Sequence, residues 1–250
     1  MVISLAPPME RPLDSATSLS AEARAAWEDS MFVRLPAAAA SSLLAGARES
    51  WVEEGELLYA GVSAAAGPLL CLIVSGLVRT FICSNDGRQA TLRYVGPGSV
   101  LGIPAALDAD NNMVRAEAQT AACLLRLPAA RFRRLVMSDA SAGWEVARYL
   151  LAQFAETERM LATNLFLPVA ARIASHLLDL AERDGGRLVV RASQQEIADA
   201  AGSVREVVSR RLKQMQSAGL IERLEDRRIV LLDTAALHAL ARGEERDQEQ

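Results

Sequence analysis

Histidine is nearly absent from this chain, and unevenly so: of 250 residues only His176 and His238 carry an imidazole, both in the last third. Metal-dependent chemistry in small β-barrels gathers His and carboxylates inside the barrel, so a metalloenzyme reading starts poorly equipped. An axial haem ligand is missing from the front of the chain for the same reason. Cysteine is also scarce. Cys71, Cys83 and Cys123 are too few and too scattered for a disulfide framework, and they fall short of the four ligands an iron–sulfur cluster needs. They read as small buried hydrophobes, the alternative being redox sensors if exposed and rich in thiolate. Aromatic residues make up 4% of the chain, which leaves little for stacking single-stranded bases. No apolar run approaches the ~20 residues of a membrane helix. Near the start stand Pro7, Pro8 and Glu10, where a secretion leader would need basic residues and then an apolar core. The expected location is therefore the cytoplasm, with no membrane partner.

What the chain does have is apolar bulk: 51% hydrophobic against 23% charged residues, with a formal net charge of −4. That bulk can bury a sizeable core, and an acidic total argues against a protein that coats nucleic acid indiscriminately. Residues 1–20 mix Pro, Ser, Thr and Ala without periodicity and read as a mobile tail. Residues 21–27 and 36–45 read as short helices.

Between residues 50 and 127, short β-prone runs at 57–59, 70–74, 77–83, 90–94, 100–101, 116–118 and 122–127 alternate with turn signals such as Gly67-Pro68 and Asn85-Asp86-Gly87. This texture predicts an antiparallel barrel or sandwich. From Pro128 to about Thr163 the pattern is helical, and Trp144, Ala147, Leu151, Phe154, Glu158, Leu161 and Leu165 follow a 3-4-3-4 seam with Glu158 in one slot. Such a stripe can be covered by its own barrel or by a second copy of the helix. A second copy related by two-fold symmetry is the favoured cover.

Residues 193–213 carry the sharpest signal. Two short helical patterns flank Ala201-Gly202-Ser203, as in a helix-turn-helix. Ser193 with Glu196, and Ser203 with Glu206, both have capping-box spacing, so the second helix is predicted to start at Val204. Val204, Val208, Leu212 and Met215 then share one side, and Arg205, Glu206, Ser209, Arg210 and Lys213 fan across another. Arg can grip guanine O6 and N7, and Glu accepts from cytosine N4. Arg205, Glu206 and Arg210 are thus the base-reading candidates; Ser209, Lys213, Ser203 and Gln194 complete the predicted DNA-binding set. The plainer alternative makes these charges solvated and Glu206 only a cap. From residue 187 to 228, nine basic side chains face six acidic ones, a local excess of +3. Pro168 is predicted to open the preceding helix, with Ile173, Leu177, Leu178 and Leu180 buried and Gly185-Gly186 ending it. Residues 187–190 suggest a small strand. Residues 220–224 and 228–232 read as a two-stranded wing, with Arg227 and Arg228 placed for phosphate.

Ser193-Gln-Gln-Glu-Ile-Ala, Gly202-Ser-Val-Arg-Glu-Val-Val-Ser-Arg-Arg-Leu and Gly219-Leu-Ile closely resemble the DNA-binding domain of the Crp/Fnr family of bacterial transcription regulators. The family motif Arg-Glu-(Thr/Val)-Val-x-Arg falls on residues 205–210. The resemblance extends over residues 55–232. It implies an α+β fold: an N-terminal antiparallel β-roll of the cyclic-nucleotide-binding type, a long dimerisation helix and a C-terminal winged helix-turn-helix. The matching division is a tail at 1–20, a sensor domain at 21–135, the dimerisation helix at 136–166, the DNA-binding domain at 167–242 and a tail at 243–250.

Val95-Gly-Pro-Gly-Ser-Val-Leu-Gly resembles the start of the family's ligand cassette. Cyclic-nucleotide-binding members continue with a Glu for the ribose; here Ile103 follows Gly102. Their later Arg-Ser pair, which holds the cyclic phosphate, is replaced by Asn112-Met113. Thr157 matches a ligand-contacting threonine. Gly102, Ile103, Asn112, Met113 and Thr157 are therefore the candidate effector pocket, with the departures pointing away from cAMP and the effector, like any cofactor, unknown. The function implied is a non-enzymatic, homodimeric regulator that binds a pseudo-palindromic double-stranded DNA operator and acts on RNA polymerase. The alternatives are a nucleotide-binding regulatory subunit that works through protein contacts, and a β-barrel metalloenzyme.

Overall fold

A computed structural model of the chain describes residues 9–12, 19–59, 69–84, 87, 89–107, 114–224 and 228–244. It divides into two units, Met1–Ile82 with Arg93–Ala155, and Cys83–Leu92 with Glu156–Gln250.

Along the chain come first β1 (Met9–Pro12), α1 (Ala21–Asp29), a 3-10 turn (Met31–Arg34), α2 (Ala37–Leu44), β2 (Arg48–Val52), β3 (Leu57–Tyr59), β4 (Cys71–Ser75), β5 (Val78–Cys83) and β6 (Gln89–Val95). The chain continues through β7 (Val100–Leu101), α3 (Ile103–Leu107), β8 (Arg115–Ala118), β9 (Ala122–Arg126), α4 (Ala129–Ser138) and α5 (Ala140–Phe166). The strands form two sheets, ordered β1-β2-β9-β4-β7 and β3-β8-β5-β6, with antiparallel pairing at β2–β9, β4–β9 and β5–β8.

The run around β4 is apolar without alternation because its sheet is covered on both faces. Cys71 and Ile73 join Val78, Leu101, Ala116, Ala118 and Leu124 in one core cluster. Leu70, Leu72 and Val74 join Leu125 and the helices in another, where Trp27 stacks on Phe32 at 4.9 Å and Phe132 meets Phe32 edge-on.

Several expectations change. Met9–Pro12, placed in a mobile tail, pairs antiparallel with β2 as Met9↔Trp51 through Pro12↔Arg48. The helical pattern expected from Pro128 to about Thr163 is interrupted at Asp139, whose extended backbone (φ −123°, ψ 110°) stops α4. The Asp139 carboxylate then starts α5 by accepting from the N–H groups of Ser141 (2.9 Å) and Ala142 (3.0 Å) and from the Ser141 hydroxyl. Those donors hold its pKa below the usual carboxylate value. The long helix therefore begins at Ala140, four residues after the expected start. Residues 67–68, 85–86 and 225–227, which hold two expected turns and the wing tip with Arg227, lie outside the described residues.

Gly102 is required where β7 passes into α3. Its φ is +85°, and a Cβ there would stand 1.7 Å from the Leu69 carbonyl oxygen. Gly102→Ala is expected to destabilise this unit by more than about 2 kcal/mol, since the positive φ alone costs about 1–2. A fall in its thermal midpoint by circular dichroism is the check.

After α5, which passes from the first unit into the second at Glu156, the second unit continues through α6 (Val169–Asp179), β10 (Glu182–Asp184), β11 (Arg187–Arg191), α7 (Gln194–Ala200), α8 (Arg205–Ser217), β12 (Ile221–Arg223), β13 (Arg228–Leu231) and α9 (Thr234–Ala241). Its sheet is ordered β10-β11-β13-β12. Ile173, Leu177 and Leu180 are buried as expected, whereas Leu178 is only half-buried. Gly185-Gly186 does not end a helix. Both residues have positive φ and turn the β10–β11 hairpin, because α6 has already stopped at Asp179.

Candidate DNA-reading helix and β-domain cavity

Helix α7 starts with the capping box read from the sequence. Ser193 Oγ accepts the Glu196 N–H at 3.2 Å, and Glu196 Oε2 accepts the Ser193 N–H at 2.6 Å. Ile197, Ala198 and Ala200 bury its inner face, and the turn closes with the Ser203 N–H donating to the Ala198 carbonyl at 2.9 Å. Gly202 takes φ +56° there.

The second capping box is absent. Val204, with no side-chain cap, occupies the N-cap of α8, and its backbone is extended at φ −102° and ψ 150°. Its side chain thus escapes the helical period and is 58% exposed, while Val208, Leu212 and Met215 are buried. The expectation that Val204 joins the packed side is corrected on that ground. Glu206 is also released from the role of a cap. It remains in the first turn, where a carboxylate suits the helix dipole.

On the other side of α8, Arg205, Glu206, Arg210 and Lys213 are exposed and Ser209 is half-buried, as are Ser203 in the turn and Gln194 at the start of α7. A cleft of about 310 Å³ brings Ser193 and Gln194 together with Arg205, Arg223 and Arg228. Arg223 was missed as a candidate in the sequence; only its place on the first wing strand pointed to it. Arg228 is oriented by Asp184, whose Oδ2 accepts from Arg228 Nη1 at 3.3 Å and Arg191 Nη2 at 2.7 Å. Arg223 and Arg228 in that cleft suit phosphate oxygens, which position a protein on the duplex, and the exposed α8 side chains, Arg205 among them, suit base edges.

His176, on α6, is hydrogen-bonded to the Ala200 backbone, and its Nδ1 has no hydrogen-bond partner among the described residues. Burial, aided by the nearby Arg172 charge and opposed by the Ala200 bond, lowers its pKa to about 4. The imidazole is a neutral link between α6 and α7.

In the first unit a cavity of about 370 Å³ is lined by Gly102 and Ile103 together with Leu69, Thr80, Arg93, Val114, Ala116, Tyr149 and Gln153. Two of the five predicted pocket residues are therefore in its wall. Asn112 and Met113 lie outside the described residues, and Thr157 is exposed one turn beyond Gln153 on α5. Cys71 and Cys123 are buried thiols, with burial pushing their pKa values up to about 12 and about 11. Neither supplies a thiolate at neutral pH. Among the described residues no group of three or more His, Cys, Asp or Glu side chains is arranged for a metal ion, and no helix is long and apolar enough to cross a membrane.

A β-domain with a cavity in its wall and a winged helix-turn-helix with an exposed basic face define a DNA-binding regulator. Residues 171–240 match the Crp-like helix-turn-helix domain and residues 50–139 the cyclic nucleotide-binding domain. The chain is 38% identical over 167 residues to transcriptional regulator LdrP of Thermus thermophilus, covering 65% of this chain and 82% of that one. It is 29% identical to a CRP-like cAMP-activated global transcriptional regulator of Mycobacterium tuberculosis, covering 70% and 81%. A solved CRP/FNR-family transcriptional regulator from Thermus thermophilus superposes with a TM-score of 0.68 at 28% identity, covering 79% and 100%. The chain belongs to the Crp/Fnr family of transcription regulators, as the helix-turn-helix motif implied.

Proposed function

We propose that the chain acts as a homodimer on a pseudo-palindromic double-stranded operator, with one α8 of each protomer in the major groove. Arg205, Glu206 and Arg210 read base edges. Ser203, Ser209, Lys213 and Gln194, with Arg223 and Arg228, hold the sugar-phosphate backbone. The observation that carries this reading is the division of α8 into a buried face of Val208, Leu212 and Met215 and an exposed face bearing Arg205, Glu206, Arg210 and Lys213. Dimerisation through α5 is supported by its exposed stripe: Trp144, Leu151, Phe154, Leu161 and Leu165 are each more than half exposed, at the spacing of a coiled-coil seam.

The protein works in the cytoplasm, and its output is a contact with RNA polymerase rather than catalysis. A signal at the β-domain shifts the population of dimers whose two reading helices are correctly spaced. Arg210→Ala is expected to weaken operator binding by about 1–3 kcal/mol and to relax selectivity at one base pair, whereas Lys213→Ala lowers affinity evenly across sequences. Fluorescence anisotropy against a set of single-base operator variants distinguishes the two. An unchanged base preference in the Arg210 variant removes Arg210 from the reading set.

A further inference from the structure

Among the described residues the wall of the β-domain cavity offers few partners to a cyclic nucleotide. A nucleotide needs partners for a ribose diol and for several polar edges of its base, yet most of the wall is apolar: Leu69, Leu101, Ile103, Val114, Ala116 and Leu150. Ile103, only 1% exposed, stands where the resemblance places the ribose carboxylate. Among the described residues the lining contains no carboxylate. Buried polar atoms left without partners cost binding, so a sugar edge facing these side chains is selected against.

The lining hydroxyls are already committed to backbone. Tyr149 Oη donates to the Val100 carbonyl and accepts the Val100 N–H, both at 3.1 Å. Thr80 Oγ1 donates to the Arg93 carbonyl at 3.2 Å. Among the described residues one charged side chain, Arg93, belongs to the lining, and its charge reaches the Tyr149 phenol. A largely apolar chamber of about 370 Å³ with one cation among its described lining residues matches a ligand with an apolar body and one acidic head.

We propose that this cavity binds an amphipathic monoanion, an aliphatic or aryl body with one carboxylate, in place of a cyclic nucleotide; this deepens the reading of the chain as an effector-responsive regulator. Such a ligand rests against Tyr149, Leu150 and Gln153 of α5, so its arrival is felt directly by the helix assigned to dimerisation.

The test uses the full chain with decanoate, decanol and cAMP as probes, by isothermal titration calorimetry. Decanoate is expected to bind at one site per chain, about tenfold or more tighter than decanol, because only the acid makes a charge-assisted contact with Arg93. No saturable heat is expected from cAMP. Ile103→Glu places a carboxylate in the wall and is expected to abolish decanoate binding. Since that buried change can unfold the domain, Arg93→Gln is the second variant. It should erase the preference for decanoate over decanol while decanol still binds.

Stoichiometric cAMP binding, absence of decanoate binding, or a preference for decanoate that survives Arg93→Gln would overturn the proposal. Decanoate binding that is lost in a Leu151→Glu variant but kept in Ile103→Glu would do the same, by placing the probe on the α5 stripe. Operator binding is measured separately without ligand. If it persists while decanoate fails, only this proposal falls. If no DNA is bound, the regulatory reading falls whatever the calorimetry shows.

Discussion

Replacing Leu151 and Phe154 together by glutamate is expected to turn the protein from a dimer into a monomer and to lower its affinity for a two-half-site operator by about 10²-fold or more. The two side chains are 63% and 61% exposed, so their replacement removes little packing within the chain and should leave the circular dichroism spectrum unchanged. In a paired α5 they would instead bring like charges together in a desolvated seam that already contains Glu158. The loss comes from avidity: a linked pair of reading helices makes the second half-site contact intramolecular. Affinity for a single half-site is therefore expected to stay where it was. Analytical ultracentrifugation and anisotropy on full and half operators read the two effects separately. A wild-type chain that is already monomeric at micromolar concentration, or a variant that still dimerises, removes α5 as the dimerisation element.

The second large effect is acid sensitivity of the winged-helix unit through His176. Its pKa falls from 6.5 to about 4 on folding, so between those values the unfolded chain takes up a proton that the folded chain refuses. The stabilisation is fully present above pH 6.5 and is lost progressively as pH falls to about 4. Over that interval it amounts to about 3 kcal/mol. Urea unfolding at pH 7 and pH 4.5 should show the loss in the wild type, and His176→Gln, which keeps a donor for Ala200, should flatten the difference. Equal pH dependence in wild type and variant would show that His176 is not the group responsible. Because His176 joins α6 to the last turn of α7, proton uptake there also loosens the frame that supports α8.

The helix-turn-helix was legible because its signals are local. The α7 capping box, the Gly202 turn and the buried triad Val208, Leu212 and Met215 all lie within 23 residues of sequence, 193–215. The heptad stripe of α5 was legible for a related reason, since helical periodicity reports which face has no partner in the chain. Local rules also misled. Ser203 and Glu206 have capping-box spacing, but the helix begins one residue later than that box requires, and Val204 caps it by backbone alone. Arg223 escaped notice because its meeting with Arg205 and Arg228 is tertiary. Likewise the Asp139 break carries no Gly or Pro; it is made by a carboxylate that caps the next helix. Met9–Pro12 becomes a strand only because β2 offers it an edge, a condition invisible in four residues containing a proline.

The most direct test of the central claim is selection of DNA from a random duplex pool by the purified protein, followed by titration of the winning sequence over a range of salt. The account predicts enrichment of a pseudo-palindrome whose half-sites lie about one helical turn apart, or a multiple of it, bound with an affinity that falls steeply as salt rises. Replacement of Arg205, Glu206 or Arg210 should then change which bases are chosen. A pool that returns no common sequence, or binding that is indifferent to salt and to those three residues, would contradict it.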